Sequence, residues 1–265
     1  MPTHDLAKIL ADCSPAVELL SSVSEFYGSS FNVSIRATSD GVSHFSIDPG
    51  QEDLLFKSAS ITVNPTGNRV KEAVVHELLH LNLPIIGFNP VHTLSLADRY
   101  AVEFPRIDET IKKTVNVVQH TIFLEQFIEM GLPIDRFLAA AQTEPQYGAE
   151  ARQYLGAQLD EDRAWIAWSW WSLEFLRNYL AIQHGDKKAK SFARSAAKWG
   201  DRLLPGFKRK TNDISDWFEK SDHKHPAKYQ NAMNSLFTLM EIPATVRYCA
   251  LKASPNGRPS VVPEQ

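Results

Sequence analysis

The apolar positions follow first one period and then another. Leu6, Ile9 and Leu10, then Val17 and Leu20, recur at helical spacing. They predict one or two short helices up to Tyr27, broken at Gly28-Ser29-Ser30. The period then drops to two. Phe31, Val33 and Ile35 alternate with polar residues, as do positions along Val42-Ser43-His44-Phe45-Ser46-Ile47. Ser39-Asp40-Gly41 between them is a hairpin turn signal, and Asp48-Pro49-Gly50 turns the chain again. Leu54 to Phe56 and Ser60-Ile61-Thr62-Val63 supply at least one more strand, ended by Asn64-Pro65-Thr66-Gly67. Ser58 to Val63 is the candidate for an exposed strand edge, the kind of edge that binds an extended peptide through its backbone.

Helical spacing returns with Val70, Val74, Leu78 and Leu81. Asn68 suits the N-cap of this helix, and Pro84 limits its continuation beyond Leu83. A further helix start is expected near Leu94-Ser95-Leu96. From about Ile107 the chain reads as almost wholly helical: Ile107 to Met130, Ile134 to Ala141, Glu150 to Gln183, Lys188 to Leu203, Ile214 to Lys220 and Pro226 to Met240. Gly131, Gly185 and Gly206 stand where helix ends are expected. Trp165, Trp168, Trp170 and Trp171 crowd one helix and are expected to pack between helices. The Pro-rich end from Ser254 is expected to lack structure. The predicted fold class is α+β: a small antiparallel sheet, one helix that follows it, and a mostly helical C-terminal half. The expected organisation is a core over 1–140, a helical subdomain over 141–250 and a tail over 251–265.

Composition narrows the function classes. Hydrophobic content of 43% and charged content of 22% suit a soluble globular protein. A formal net charge of -3 leaves no electrostatic footprint for nucleic acid, so no nucleic-acid partner is expected. Lys187-Lys188 and Lys208-Arg209-Lys210 read as solvated charges, and Asp222-His223-Lys224-His225 as a solvated loop. Cys13 and Cys249 are the only cysteines. They are too far apart to define a disulfide framework and too few for a cysteine metal site. The first residues carry no secretory pattern, and the apolar stretches are too short to span a bilayer. The expectation is a cytoplasmic protein with no membrane partner.

Chemistry enters at His76-Glu77-Leu78-Leu79-His80, an H-E-x-x-H pattern within the helix predicted over 70–81. Residues four apart on a helix share a side, so the two imidazoles can hold one Zn²⁺. On the wheel they lie opposite the Val70, Val74, Leu78 and Leu81 stripe, facing a cleft while the stripe packs into a core. Glu77 falls between the sectors, placed to act as general base toward a water that the metal activates.

A catalytic zinc needs a third protein ligand and one open position. His120, Glu125 and His92 compete for that place. Residues 120 and 125 lie about 140° apart around a helix, so they cannot both reach one metal. His120 shares a face with Asn116, Phe123 and Phe127, and Glu125 shares one with Ile111, Val115, Val118 and Ile122. A buried polar group needs a partner, and for His120 the metal can be that partner, with Asn116 or Gln119 behind it. The expected ligand set is His76, His80 and His120, with Glu125 and His92 as alternatives. For the oxyanion that develops opposite the water, Tyr100, His92 and Tyr229 are all candidates.

These residues resemble the zincin superfamily of metallopeptidases over the N-terminal half of the chain. The metzincin branch places Gly and then His where this chain has Leu83 and Ile86, and the aspzincin signature G-T-x-x-D is absent. Thr93 follows His92, where the SprT-like pattern has Gly. The gluzincin branch usually carries E-x-x-x-D on a later helix, where this chain has Asn116-Val117-Val118-Gln119-His120. The resemblance is gluzincin-like, with an unusual ligand helix. It implies a zinc metallopeptidase acting on a peptide or protein substrate. The alternative is a non-catalytic helical interaction or regulatory protein that keeps a zincin-like fold or a structural zinc site.

Overall fold

Alternation along the first strands determines which side chains are buried. In a computed structural model, the described residues are 4–38, 43–50, 56–64, 69–134, 164–184, 187–254 and 258–263. Helices α1 (His4–Ile9) and α2 (Ser14–Tyr27) precede strands β1 (Phe31–Ile35), β2 (His44–Asp48) and β3 (Ser58–Val63). Ala59, Ile61 and Val63 of β3 are buried, and the residues between them are half-buried. Helix α3 (Val70–Ile85) then packs on α2 and on β2 and β3.

The strand order is β1-β3-β2. β3 pairs antiparallel with β2 and parallel with β1. β1 and β2 are therefore not hairpin partners, although the turn signal between them suggested it; Ser39, Asp40 and Gly41 lie outside the described residues. The expectation that Ser58 to Val63 forms an exposed edge is corrected as well. β3 is the central strand, and β2 holds an outer position. The physical reason is that β1 gains a parallel neighbour across the turn region, a pairing that no local pattern encodes.

α3 begins with Arg69 in the N-cap position; Asn68 lies outside the described residues. Pro84 does not stop the helix at Leu83. The helix continues to Ile85 and closes when Gly87, at φ 97°, takes the left-handed conformation. The Gly87 N–H donates to the Pro84 carbonyl and the Phe88 N–H to the Leu83 carbonyl, and Phe88 and Leu83 are both buried. This is a Schellman closure with its apolar contact, and glycine supplies the backbone it needs.

Beyond α3 the chain carries strands where helix or an unstructured tail was expected. Strand β4 (Val91–Ser95) takes the place of the helix start expected at Leu94-Ser95-Leu96. Helix α4 (Phe104–Glu129) follows. Among the described residues, four further helices, α5 (Ala164–Gln183), α6 (Lys187–Leu203), α7 (Phe207–Lys220) and α8 (Pro226–Leu239), make the second half mostly helical. β5 (Thr245–Lys252) and β6 (Ser260–Pro263) then form a second sheet in the order β4-β5-β6. The terminal stretch expected to lack structure thus carries β6, antiparallel to β5. Its backbone groups have ladder partners that a Pro-rich composition does not advertise. The fold class is α+β, with small sheets and a helical second half. The helix expected over Ile134 to Ala141, beyond Ile134 itself, and the start of the one expected from Glu150 fall outside the described residues.

Contacts divide the chain into two units. Unit 1 is Met1–Leu94, Phe123–Pro133 and Val246–Gln265; unit 2 is Ser95–Ile122 and Ile134–Thr245. The core of unit 1 is built from residues such as Leu6, Leu10, Tyr27, Ile61, Leu78, Leu79 and Leu81. Within it the Tyr27 hydroxyl donates to the Leu81 carbonyl at 2.9 Å. Unit 2 has a cluster of Trp171, Ala196, Leu204 and Phe207, flanked by Trp168, Trp199 and Leu203. Trp168 and Trp171 therefore pack between helices. His223, expected in a solvated loop, is buried in this unit.

Candidate metal centre

α3 presents His76 and His80 one turn apart. His80 is 1% exposed and His76 is half-buried. The His80 ring is held from two sides. Phe45 of β2 stacks on it with centroids 4.2 Å apart and planes 11° apart. Phe123 of α4 meets it edge-on at 4.8 Å, and lies 5.9 Å from the His76 ring. Phe45 reaches this place because alternation along β2 turns Phe45 and Ile47 inward, and its register sets it opposite Ile61 of the central strand. The sequence reading did not single out Phe45; an aromatic at an inward position of a strand beside the motif helix was the available signal.

His120 stands less than one turn before Phe123 on the same unbroken helix, so its place is set by α4 itself. One nitrogen from each of His76, His80 and His120 can be chosen so that all lie within 4.8 Å of one another. Tetrahedral zinc with imidazole nitrogens at about 2.0–2.1 Å spaces its ligands by roughly 3.3 Å. The three imidazoles are therefore near the spacing that one zinc ion would need. Among the described residues, no fourth His, Cys, Asp or Glu joins this group. A catalytic zinc site takes three protein ligands and keeps a fourth place open, whereas a structural site is closed by four.

Glu77 is 3% exposed, with one carboxylate oxygen 3.3 Å from Nδ1 of His76. A carboxylate so far from solvent is costly without partners. Nδ1–H contact with a carboxylate is also the usual way in which a metal-binding histidine is oriented.

The other ligand candidates, Glu125 and His92, do not join this group. Glu125 is exposed and outside the histidine group. His92 sits on β4, where its Nε2–H donates to the Gly50 carbonyl at 2.9 Å. Tyr229 is buried in unit 2, where loss of solvent pushes its phenol above the ordinary range. Tyr100 lies beside the Arg99 guanidinium, 4.8 Å from its ring centre. Cys13 and Cys249 are both free and buried, and neither joins the histidines.

Comparison with known proteins returns nothing: no protein-family model matches the chain, and no curated protein or solved structure matches it either. The case for a metal centre is therefore carried by the side chains themselves. Among the described residues, no helix is long and apolar enough to cross a membrane.

Proposed function

We propose that this protein is a zinc-dependent hydrolase that cleaves peptide bonds. The observation that carries the reading is the convergence of His76, His80 and His120 beside the buried carboxylate of Glu77. His76, His80 and His120 would hold the ion. When bound, zinc supplies a Lewis acid that polarises a carbonyl and brings the pKa of water down to about 7.

The chain's own residues supply the proton traffic. Glu77 accepts a proton from the attacking water as the water oxygen adds to the scissile carbonyl carbon. The protonated carboxyl then passes that proton to the leaving nitrogen as the C–N bond breaks. Phe45 and Phe123 keep competing water from the His80 ring. β2, in an outer position of its sheet, offers backbone groups to an extended peptide.

The enclosure of His80 favours a second reading, in which the chain holds zinc without turnover and serves as an interaction or regulatory protein. One experiment separates the two. Purified protein is expected to carry close to one zinc per chain by elemental analysis, and His76→Ala, His80→Ala and His120→Ala each to lose it. Glu77→Gln is expected to keep zinc and fold but to lose hydrolysis of a fluorogenic peptide library by about 10²–10⁴-fold. Equal hydrolysis by wild type and Glu77→Gln refutes the peptidase mechanism. Zinc retained with no hydrolysis in either favours the second reading.

A further inference from the structure

The net charge of -3 averages over an uneven distribution. From Lys187 to Lys210 the chain carries nine Lys or Arg residues and a single acid, Asp201. Most of this stretch is α6. Its apolar side, with Ala189, Phe192, Ala193, Ala196 and Gly200, is buried. On its other side Lys187, Lys190, Arg194, Lys198 and Arg202 are all exposed and fall within a sector of about 120°. Lys190, Arg194, Lys198 and Arg202 are spaced by four residues each, a line about 18 Å long with a cation roughly every 6 Å. The Lys208 N–H donates to an Asp201 carboxylate oxygen at 3.1 Å, which sets exposed Lys208 beside the last turn and engages the one acid present.

Three exposed lysines on α4 and α7 are instead paired within their own helices. Lys112 pairs with Asp108, Lys113 with Glu109 and Lys220 with Asp216, each across one turn. Among the described residues, Lys187, Lys190, Arg194, Lys198 and Arg202 form no ion pair. Like charges at i,i+4 destabilise a helix, so α6 retains a row of repulsions that an external polyanion would relieve. Lys210 of this stretch is paired with Glu241 and lies over the Trp168 ring, and Lys188 lies over the Phe192 ring.

We propose that the exposed face of α6 binds single-stranded nucleic acid along its phosphate backbone. A strand carries one charge per nucleotide whatever its sequence, so it can occupy every cation of a regular row. The Arg202 guanidinium lies 4.7 Å from the centre of the half-buried Trp199 ring. Its outer face is a plane on which a base can stack. An anionic bilayer is the poorer partner, because the apolar side of α6 is committed to the protein core and has nothing to insert.

The test uses the full chain and a fluorescent oligo-dT of about 20 nucleotides, titrated by anisotropy from about 50 to 200 mM salt. Four or five phosphate contacts predict a slope of log K against log salt near -3, at about -0.7 per contact. Lys190→Gln/Arg194→Gln/Lys198→Gln is expected to weaken low-salt binding by more than tenfold and to flatten the slope by about 2. The triple variant removes repulsion and keeps helix-forming residues, so it should fold; circular dichroism and thermal melting check this. Lys112→Gln/Lys113→Gln, which alters ion-paired lysines, is expected to bind as wild type does. Absence of binding at about 50 mM salt, or binding and slope unchanged in the triple variant, overturns the proposal. So does binding to phosphatidylserine vesicles or polyglutamate with the oligonucleotide ignored, which would assign the face to a membrane or an acidic protein instead.

Discussion

Acid should weaken unit 2 through one histidine, and removing that histidine should flatten the pH dependence. His223 is 2% exposed and stacked against Trp217, with ring centres 4.9 Å apart. Its protonation state follows from its neighbours. The Thr121 hydroxyl donates to the Val118 carbonyl at 2.7 Å. It must therefore accept from the Nε2–H of His223, 3.0 Å away. The Ser221 hydroxyl lies 2.8 Å from Nδ1 and can donate to it. Both nitrogens of the neutral ring are satisfied, and a second proton would turn Nδ1 from acceptor to donor. Burial, reinforced by the Lys224 charge, pushes the imidazole down from 6.5 to about 4. The unfolded chain therefore takes up this proton at a higher pH than the native chain. Stability from this group is complete above pH 6.5, falls as the pH drops through the window to about 4, and levels off below it. The loss works out to about 2 kcal/mol by pH 5 and about 3 kcal/mol by pH 4. Urea unfolding of wild type and His223→Gln, compared at a series of pH values, isolates the term because the other titrating groups are shared. Wild type is expected to lose that much more stability than the variant between pH 7.5 and pH 4. Parallel curves would refute the assignment of a buried neutral imidazole.

Two further outcomes follow from packing. Phe45→Ala removes the ring stacked on His80 and is expected to weaken zinc binding by about two- to tenfold in a chelator competition, the worth of one aromatic stack, with Phe45→Tyr near wild type. Wild-type affinity in Phe45→Ala would show that the stack does not hold His80 for the metal. Gly200→Ala in α6 would gain helix propensity, but its new Cβ would lie 2.4 Å from Cδ1 of the fully buried Phe207 ring. The clash is expected to outweigh the gain and cost about 1–2 kcal/mol net in urea unfolding; a more stable variant would mean that the ring has room to move.

The candidate centre was legible where its geometry is local. His76, Glu77 and His80 need only a helix, and the Val70, Val74, Leu78 and Leu81 stripe makes that helix readable. His120 lies forty residues past His80. It was still reachable, because its helix is long, its wheel separates it from Glu125, and a polar ring among apolar neighbours demands a partner. Where pairing is non-local, the pattern failed. β1-β3-β2 alternates as well as a β1-β2 hairpin would, since alternation records which face is buried and not which strand lies alongside. Val246, Tyr248 and Leu251 are buried at mostly alternating positions of β5. That signal was present but short, and its partner β4 lies some 150 residues earlier in the chain. Gly87 was passed over because Pro84 looked like a sufficient stop.

The same distinction bears on the site. A motif helix specifies where two imidazoles and a carboxylate are, but not how freely the rings turn. Phe45 comes from β2 and Phe123 from α4, and both press on His80, the most enclosed of the three histidines. Freezing a ring before the ion arrives removes part of the ordering cost of binding. The elements that a local reading places least well, the order of the strands and the register of β2, are thus the ones that set Phe45 against the second histidine of the motif.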